Sequence, residues 1–413
     1  DQGAPHVREA DEAVAIGGAP ARESSLNTDR ILAAARQARA DAIHPGYGFL
    51  SESSRFAEAV GQAGLVFVGP TPDAIRKMGD KIEARRLMSA AGVPVLPGSF
   101  EPVDDVAGAE AAAQAVGFPV MLKAAAGGGG IGMARVAGAG DLAAAFATAA
   151  RRAQAAFGTG ELYVERYLER PRHVEVQVFG DASGTVVHLH ERECSIQRRH
   201  QKLVEESPAP GLPPAVKSGL TAAAVAGARA IGYTNAGTME FLVDESGGFY
   251  FLEMNARLQV EHPVTEEVTG LDLVVAQLRV AGGEPLPWRQ DEILERRAAI
   301  ECRVYAEDPS KGFLPSPGTL TKLELPSGEG IRIESGVEAG TTVSVHYDSL
   351  LLKLVAHGAT RAQALERMDR ALATCVIEGP KTTIPFLRRI VASDEFGSGR
   401  VHKQLLEQGA FNG

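Results

Sequence analysis

The chain has 413 residues, of which 45% are hydrophobic and 23% charged, and its formal net charge at pH 7 is −10. This length allows two or three domains with cores of their own, and the negative charge argues against a nucleic acid partner, because phosphate binding needs a basic surface. No apolar run reaches the length of a membrane span, and the polar start DQGAPHVREADEAVAIG lacks the basic and apolar regions of a signal peptide.

Alternating helices and strands are predicted for the first ninety residues. Asn27 is suited to begin the first helix, because its side chain can accept a backbone hydrogen bond there. The predicted elements are helix 28–39, strand 42–44, helix 54–63, strand 65–68 and a helical stretch over 72–91. This order is typical of an α/β unit with a parallel sheet.

A glycine-rich stretch, KAAAGGGGIGMARV, occupies residues 123–136. Gly127, Gly129 and Gly132 satisfy G-x-G-x-x-G, but that fingerprint requires a helix directly after the loop, and a short β-like piece follows here. A hairpin that brings bare backbone N–H groups close to a phosphate fits better. From the loop alone, this interpretation and a ligand-free surface hairpin are equally supported.

Strands predominate from residue 172 onward, where HVEVQVFGD and VVHLHERE alternate apolar and polar residues. Helices are predicted over 141–156, 213–231, 271–281 and 361–374, a further strand over 162–168, a hairpin turn at 246–248 and a linker over 282–289. The segment from Arg297 is expected to mix short strands with the last of these helices.

Two carboxylates and an amide in neighbouring strands suggest a metal site. Glu253, Asn255 and Arg257 project to one side if the segment is a strand, and Glu240 lies across the predicted hairpin. Such oxygen ligands suit Mg²⁺. A solvent-exposed face of paired charges is the weaker alternative, because the flanks GTMEFLV and FYFL are apolar.

A basic cluster stands out in this acidic chain. Arg198, Arg199, His200 and Lys202 lie within five residues of one another in ERECSIQRRHQKLVEE and form a candidate anion site. The glutamates on both sides instead favour a solvated, charge-rich loop, which is the usual outcome for a charge run.

Single lysines, histidines and cysteines carry weaker signals. Lys81 and Lys123 are candidate phosphate ligands, although either alone fits an ordinary surface lysine. The histidines His44, His173 and His262 have no metal-binding spacing and are expected to pack or to form hydrogen bonds. The three cysteines, Cys194, Cys302 and Cys375, are far apart and form no C-x-x-C, so a reducing cytosol is the expected compartment.

Taken in order, the motifs resemble those of the biotin carboxylases, a family of ATP-grasp ligases, over essentially the whole chain. They are AIHPGYGFLSE (42–52), MGDK (78–81), KAAAGGGGIGM (123–133), ERECSIQRRHQK (191–202), FLEMNARLQVEHPVTE (251–266), ECRVYAEDP (301–309) and FLPSPG (313–318). Carbamoyl-phosphate synthetases share the ATP-grasp core but not RRHQK together with QVEHPVTE. The resemblance implies an α/β and α+β architecture: an ATP-grasp fold with a truncated Rossmann-like N-terminal domain (1–78), an ATP-grasp domain (79–288) with a glycine-rich lid at about 97–168 and a mixed α+β C-terminal domain (297–408).

The resemblance also implies an activity, which is the ATP-dependent carboxylation of biotin on a carrier, with bicarbonate and through carboxyphosphate, as the first half-reaction of an acetyl- or acyl-CoA carboxylase. For the nucleotide it implies Lys81, Lys123, Gly129, Gly130, Glu165, Arg166, Tyr167, Leu168, His173, Gln197, His200, Glu240 and Glu253, with 165–168 at the adenine. For Mg²⁺ or Mn²⁺ it implies Glu240, Glu253 and Asn255, and for bicarbonate Lys202, Arg257, Gln259, Val260 and Glu261. Glu261 would be the general base, Arg303 would stabilise the biotin enolate, and Tyr47 would lie near biotin.

The implied partners are a biotin carrier protein or domain, a carboxyltransferase subunit and a second copy of the chain. The family's N-R-G-E-I-A-type motif has no match, so an incomplete N-terminal domain is expected, and a lysine between two methionines for biotin attachment is absent. Ile131 replaces the usual Arg or Lys and is expected to raise the KM for ATP. A non-catalytic ATP-binding scaffold and a ligase with another acyl acceptor remain as alternatives.

Overall fold

The computed structural model describes residues 1–125 and 132–411. Its first elements are α1 (Pro5–Glu9), α2 (Thr28–Gln37), β1 (Ala42–Ile43), α3 (Ser54–Gln62), β2 (Val66–Phe67), α4 (Pro72–Gly79) and α5 (Lys81–Ala90). Strands β1 and β2 pair in parallel, as the α/β alternation predicts. Asn27 caps α2, because its side chain accepts a hydrogen bond from the Arg30 N–H at 3.1 Å. The helical stretch over 72–91 is two helices, since Asp80 ends α4 and caps α5.

A small three-stranded sheet carries the glycine-rich segment. Its elements are α6 (Val106–Val116), β3 (Val120–Ala124), β4 (Ala134–Val136), α7 (Ala139–Phe157) and β5 (Leu162–Arg166). Antiparallel strands β3 and β4 flank the glycine run as predicted, although residues 126–131 lie outside the described residues. Helix α6 was not predicted; Asp105 caps it by accepting a hydrogen bond from the Gly108 N–H at 2.7 Å.

The remaining elements form a large mixed region. They are β6 (Arg172–Gly180), β7 (Val186–Arg198), β8 (Gln201–Ser207), α8 (Pro214–Ala230), β9 (Asn235–Val243), β10 (Phe249–Asn255), α9 (His262–Thr269), α10 (Leu273–Ala281), β11 (Ala298–Tyr305), β12 (Glu307–Asp308), β13 (Leu314–Pro315), β14 (Gly318–Thr319), β15 (Lys322–Glu324), β16 (Ile331–Ser335), β17 (Thr342–Val343), β18 (Leu350–Gly358), α11 (Arg361–Thr374), β19 (Val376–Glu378), α12 (Ile384–Val391) and α13 (Asp394–Gly397). Helix α11 has the bounds that the sequence predicts.

An eight-stranded antiparallel sheet with the order β10-β9-β6-β7-β8-β11-β18-β16 runs through this region. One face is apolar: Val174 and Val176 of β6 share a buried cluster with Leu220 of α8. Because side chains alternate along a strand, Glu175 and Gln177 point to the other face. Helix α9 packs over that face at β7, β8 and β11, so its polar residues are buried.

The segment 282–289 packs on the sheet instead of being a free linker. The Leu286 N–H donates to Asp181 at 2.9 Å, and the Trp288 ring meets Phe179 edge-on with centroids 5.7 Å apart. Within residues 1–125 and 132–411, no helix has the length and apolar character that crossing a membrane requires.

Candidate active site

A row of charged side chains crosses the buried polar face of the large sheet. Glu253 of β10 is paired in register with Glu240 of β9, Glu240 with Glu175 of β6, and Glu175 with Arg192 of β7. Residues opposite each other on paired strands lie about 4.5–5.5 Å apart, so three adjacent carboxylates repel one another strongly unless cations separate them. The hairpin placing Glu240 beside Glu253 was predicted.

Lys202 of β8 is the cation at the centre of this row. Its ammonium contacts Glu175, Glu240 at 2.9 Å and Glu261 at 2.5 Å. Burial alone would lower the pKa of Lys202, but the three carboxylates raise it well above its usual value. Burial would likewise raise the pKa of Glu175 and Glu240, but Lys202 holds both well below the usual range. All of these groups are therefore charged at neutral pH.

Glu261 connects Lys202 to Arg303 of β11. One oxygen of the Glu261 carboxylate accepts from Lys202, and the other accepts from the Arg303 guanidinium at 2.8 Å. Burial would raise the pKa of Glu261, yet Lys202 and Arg303 lower it. The carboxylate is therefore ionised at neutral pH.

Arg192, which sequence reasoning did not single out, anchors the site from within the sheet. Its side chain is fully buried and donates to five groups. These acceptors are Glu175 at 2.6 Å, Gln177 at 2.8 Å, Thr265 at 2.8 Å, Gln259 at 2.8 Å and Thr238 at 3.2 Å. Arg192 thus ties strands β6, β7 and β9 to the segment that carries Glu261.

A second chain of contacts leads from Glu240 to the N-terminal region. Asn255 donates to Glu240 at 2.9 Å, and Arg257 donates to the Asn255 amide oxygen at 3.0 Å. Arg257 also donates to Glu52 at 2.9 Å. Glu52 ends the motif AIHPGYGFLSE, so this motif reaches the site through a residue that was not predicted. Gln259, predicted for bicarbonate, donates to Glu240 at 3.0 Å.

The donor set fits a divalent cation. Glu240 and Glu253 sit on directly paired strands, and the amide of Asn255 contacts Glu240. His173, Glu175 and Glu240 also place one possible ligand atom each within 4.8 Å of one another. A bound ion would replace the N–H donors that now neutralise the Glu240 carboxylate.

Three cations meet near the predicted nucleotide site. Lys123 is 2.5 Å from Glu165, and the buried Arg85 contacts the other oxygen of the same carboxylate. Burial lowers the pKa of Lys81, and the nearby Lys123 lowers it further, whereas Glu253 opposes this shift. The side chain of Glu165 therefore points inward, whereas Arg166 is exposed.

The basic cluster RRHQK forms the tip of the β7–β8 hairpin. Arg198 pairs with Gln201, and the two turn residues Arg199 and His200 have φ of 48° and 70°. Two-residue turns with two positive φ values favour Asn-Gly, so keeping Arg and His there is strained and suggests a functional need for their side chains. Partial burial of the ring and the nearby Lys403 lower the pKa of His200 to about 4, so this ring is neutral at pH 7.

The glutamates beside this cluster are not solvated. Glu191, Glu193, Glu205 and Glu206 are all buried, so the interpretation of the stretch as a solvated loop is wrong for them. Gln197 is buried too, and its amide donates to the Cys194 carbonyl at 2.7 Å.

Lys403, near the end of the chain, lies close enough to Glu240, Lys123 and Lys202 for their charges to shift its pKa, and it was not predicted. Its N–H donates to the Pro171 carbonyl at 3.0 Å, and Gln404 donates to the Tyr167 hydroxyl at 3.2 Å, so the terminal segment lies along residues 165–171. Burial lowers the pKa of Lys403 to about 8, with Glu240 opposing and Lys123 adding to the shift. No predicted element or motif covered this residue.

The remaining predicted residues are placed as follows. Tyr47 is 41% exposed, and burial of its hydroxyl raises its pKa, with Glu301 adding to the shift and Arg303 opposing it. The Val260 carbonyl accepts from Lys353 at 2.8 Å. Leu168 is half-buried, and His173 lies 3.1 Å from Glu240. Gly129, Gly130 and Ile131 lie outside the described residues.

His44 and His262 form hydrogen bonds, as expected. His44 contacts Gln277 at 3.1 Å, and His262 contacts the Gln259 carbonyl at 2.8 Å. The three cysteines are free and buried.

The fold and the site together define an ATP-grasp ligase. Residues 1–75 match the family described as "Biotin carboxylase, N-terminal domain", 80–289 match "Carbamoyl-phosphate synthase L chain, ATP binding domain" and 301–408 match "Biotin carboxylase C-terminal domain". The chain belongs to the biotin carboxylase family.

Individual relatives match nearly the whole chain. "Biotin carboxylase 2" of Bacillus subtilis (strain 168) is 51% identical over 408 residues, which cover 99% of this chain and 92% of that protein. The biotin carboxylase domain of Hydrogenobacter thermophilus 2-oxoglutarate carboxylase, a dimer in complex with MgADP, ADP and bicarbonate, has a TM-score of 0.95 at 45% identity, covering 99% of this chain and 90% of that one. A biotin carboxylase–βγ-ATP complex from Campylobacter jejuni has a TM-score of 0.95 at 46% identity, covering 98% of this chain and 90% of that one.

Proposed function

We propose that this chain carboxylates biotin on a carrier protein or domain, using ATP and bicarbonate, in the first half-reaction of an acetyl- or acyl-CoA carboxylase. The observation that carries the proposal is the Glu261 carboxylate, held between Lys202 at 2.5 Å and Arg303 at 2.8 Å. A base between two cations suits a reaction with an anionic substrate on one side and a developing oxyanion on the other.

In the first step, Lys202, Arg257 and the backbone at Val260 bind bicarbonate, and Glu261 removes its proton. The bicarbonate oxygen attacks the γ-phosphorus of ATP, and the bond to ADP breaks to leave carboxyphosphate. Lys202 is already charged and buried beside Glu261, so the anion meets a fixed positive charge with little reorganisation.

In the second step, carboxyphosphate breaks down to CO₂ and phosphate, the released phosphate takes the N1 proton of biotin, and N1 attacks the carbon of CO₂ to form the new N–C bond. Arg303 turns from Glu261 to the ureido oxygen, where negative charge develops only as that proton leaves. An arginine aimed at this oxygen therefore stabilises the transition state more than the ground state. Tyr47 is 41% exposed, and its hydroxyl is near enough to Arg303 for the guanidinium to oppose the rise in its pKa, so a carrier could approach on this side.

The nucleotide contacts come from Lys81, Lys123 and Lys403, with residues 165–168 along the adenine. Glu240, Glu253 and Asn255 would hold Mg²⁺, which neutralises charge on the transferring phosphoryl group. The domain boundaries 1–78, 79–288 and 297–408 belong to the same proposal.

The proposed partners are a biotin carrier, a carboxyltransferase subunit and a second copy of this chain, in the cytoplasm. The relative from Hydrogenobacter thermophilus, a domain dimer, supports the second copy. Light scattering on the eluting peak of a sizing column measures this directly: twice the chain mass supports the dimer, and a monomer at micromolar concentration contradicts it.

The test of the function is ATP turnover measured with and without bicarbonate and biotin. We expect turnover to need bicarbonate, to rise with biotin and to fall about 100-fold or more in Glu261→Gln. Glu267→Gln is the matched control, because Glu267 lies in α9, the helix that Glu261 directly precedes, but contacts Arg332 and His357. Turnover that ignores both additions would contradict the proposal, and stimulation by another carboxylate would favour a different acyl acceptor.

The non-catalytic scaffold finds no support. Glu240, Glu253, Asn255, Arg257, Glu261 and Arg303 are all present in the chain. The contacts among Lys202, Glu261 and Arg303 form a connected charged network, which a scaffold does not need.

A further inference from the structure

The Arg303 guanidinium contacts a second carboxyl group, besides Glu261, that the proposed reaction does not use. Glu205 of β8 is fully buried, and its carboxylate lies 2.5 Å from the same Arg303 nitrogen that donates to Glu261. Arg303 therefore keeps one anionic neighbour when Glu261 turns to bicarbonate.

A second buried carboxyl group lies directly opposite Glu205. Glu301 of β11 pairs in register with Glu205, is fully buried and has one oxygen 4.0 Å from the Arg303 side chain. Within the described part of the chain, neither Glu205 nor Glu301 accepts a hydrogen bond of good geometry. Two buried carboxylates facing each other repel, so the pair is stable only if it keeps a proton.

The surroundings do not supply enough positive charge to ionise both groups. Arg303 is shared with Glu261, and the Lys353 ammonium donates to the Val260 carbonyl. Burial raises the pKa of Glu205 to about 7 and that of Glu301 to about 8, with the cations opposing this shift. The titratable and charged groups that face the pair are Cys194 of β7, Lys202 of β8, Arg303 and Tyr305 of β11, Lys353 of β18, Glu261 before α9 and Tyr47 of the N-terminal region.

We propose that Glu205 and Glu301 are positioning residues that share one proton and hold the Arg303 guanidinium in place while Glu261 acts on bicarbonate. The inference rests on the proposed function. With one proton on the Glu205–Glu301 pair, the pair carries a single negative charge, which holds the Arg303 guanidinium in place. The side of the guanidinium turned away from the pair then stays available for the ureido oxygen of biotin. Loss of that proton adds a second negative charge behind Arg303, which weakens its attraction for the developing oxyanion.

The first test is the pH profile of kcat/KM for biotin, measured with saturating ATP and bicarbonate from pH 6.5 to 9. In the unaltered chain the value should fall above about pH 8, where the shared proton is lost. In Glu301→Gln this decrease should disappear, because one carboxylate beside Arg303 stays ionised throughout. Persistence of the decrease in Glu301→Gln would overturn the proposal.

The second test compares two turnovers in Glu205→Gln, which removes the anion behind Arg303 while keeping the shape of the side chain. Biotin-dependent turnover should fall about tenfold, and ATP turnover with bicarbonate alone should fall less than about twofold. Equal loss of both would mean that Glu205 has only a structural role, and would overturn the proposal.

Glu206→Gln is the matched control. Glu206 is the next residue of β8, is equally buried and pairs with Arg361 at 2.6 Å on the opposite face. Its replacement should leave the pH profile for biotin unchanged. If the unaltered chain has no bicarbonate-dependent turnover, the proposed function is refuted. If its turnover is normal but Glu205→Gln and Glu301→Gln have the same turnover and pH profile as the unaltered chain, this inference alone is refuted.

Discussion

Replacing Arg192 with methionine tests whether the buried charged face depends on a residue to which the sequence analysis assigned no role. The change keeps an unbranched side chain of similar length but removes all five hydrogen bonds that Arg192 donates. Glu175 would keep its contact with Lys202, and the amide oxygens of Gln177 and Gln259 would lose the hydrogen bonds that they accept from Arg192.

The magnitude follows from burial. Removing one partner of a fully buried ion pair costs about 3–5 kcal/mol, which is roughly two to three and a half factors of ten in the unfolding equilibrium. Summing the five hydrogen bonds separately would overestimate this, because they share one guanidinium. The exposed pair of Arg279 with Glu284 offers a control: Arg279→Met should cost less than about 1 kcal/mol.

The assay is urea unfolding followed by tryptophan fluorescence. The chain has a single tryptophan, Trp288, and its ring packs on Phe179 of β6, the strand that carries Glu175. In a double-mutant cycle, Glu175→Gln should recover at least about 1 kcal/mol of the loss in Arg192→Met, because it removes the buried carboxylate that has lost its arginine partner. A loss below about 1 kcal/mol for Arg192→Met, or strictly additive effects, would refute the reasoning.

Three further predictions concern ATP and metal. In the unaltered chain kcat/KM for ATP should fall above about pH 8 as Lys403 loses its proton, and Lys403→Met should lower the value at pH 7 and remove this dependence. Glu165→Gln should raise the KM for ATP several-fold in steady-state assays, because Lys123 loses its carboxylate partner. Chelating divalent metal with EDTA should abolish ATP turnover and added Mg²⁺ should restore it, with Glu240→Gln needing a higher concentration.

The contradicting results are equally specific. An unchanged pH profile in Lys403→Met would remove that lysine from the nucleotide site. An unchanged KM in Glu165→Gln would mean that Lys123 does not need the carboxylate to meet ATP. Full turnover in EDTA would exclude the metal role assigned to Glu240.

Local patterns predicted much of the fold. Helix α11, the β9–β10 hairpin and the parallel pair β1–β2 follow from signals within a few neighbouring residues. The placement of Glu253 beside Glu240 followed too, because hairpin geometry determines which strand residues meet. The roles of these residues in binding and catalysis stay predictions.

Residues that tertiary packing brings to the site were not predicted. Arg192, Glu52 and Lys403 come from distant parts of the chain. Arg192 and Glu52 lie inside quoted motifs, but the residue types alone did not indicate which charges in those motifs meet at the site. The glutamates around RRHQK were misjudged for the same reason. A charge run normally faces water, but tertiary packing on both faces of the sheet buries this one: α9 covers one face, and Glu206 pairs with Arg361 of α11 on the other.

The most direct measurement of the central claim is the transfer of ¹⁴C from labelled bicarbonate to biotin, counted against ADP formed by the same sample. The account predicts acid-labile label on biotin in proportion to ADP, only when ATP and Mg²⁺ are both present, and a loss of about 100-fold or more in Glu261→Gln. ADP formation that leaves no label on biotin, or equal labelling by Glu261→Gln, would contradict it.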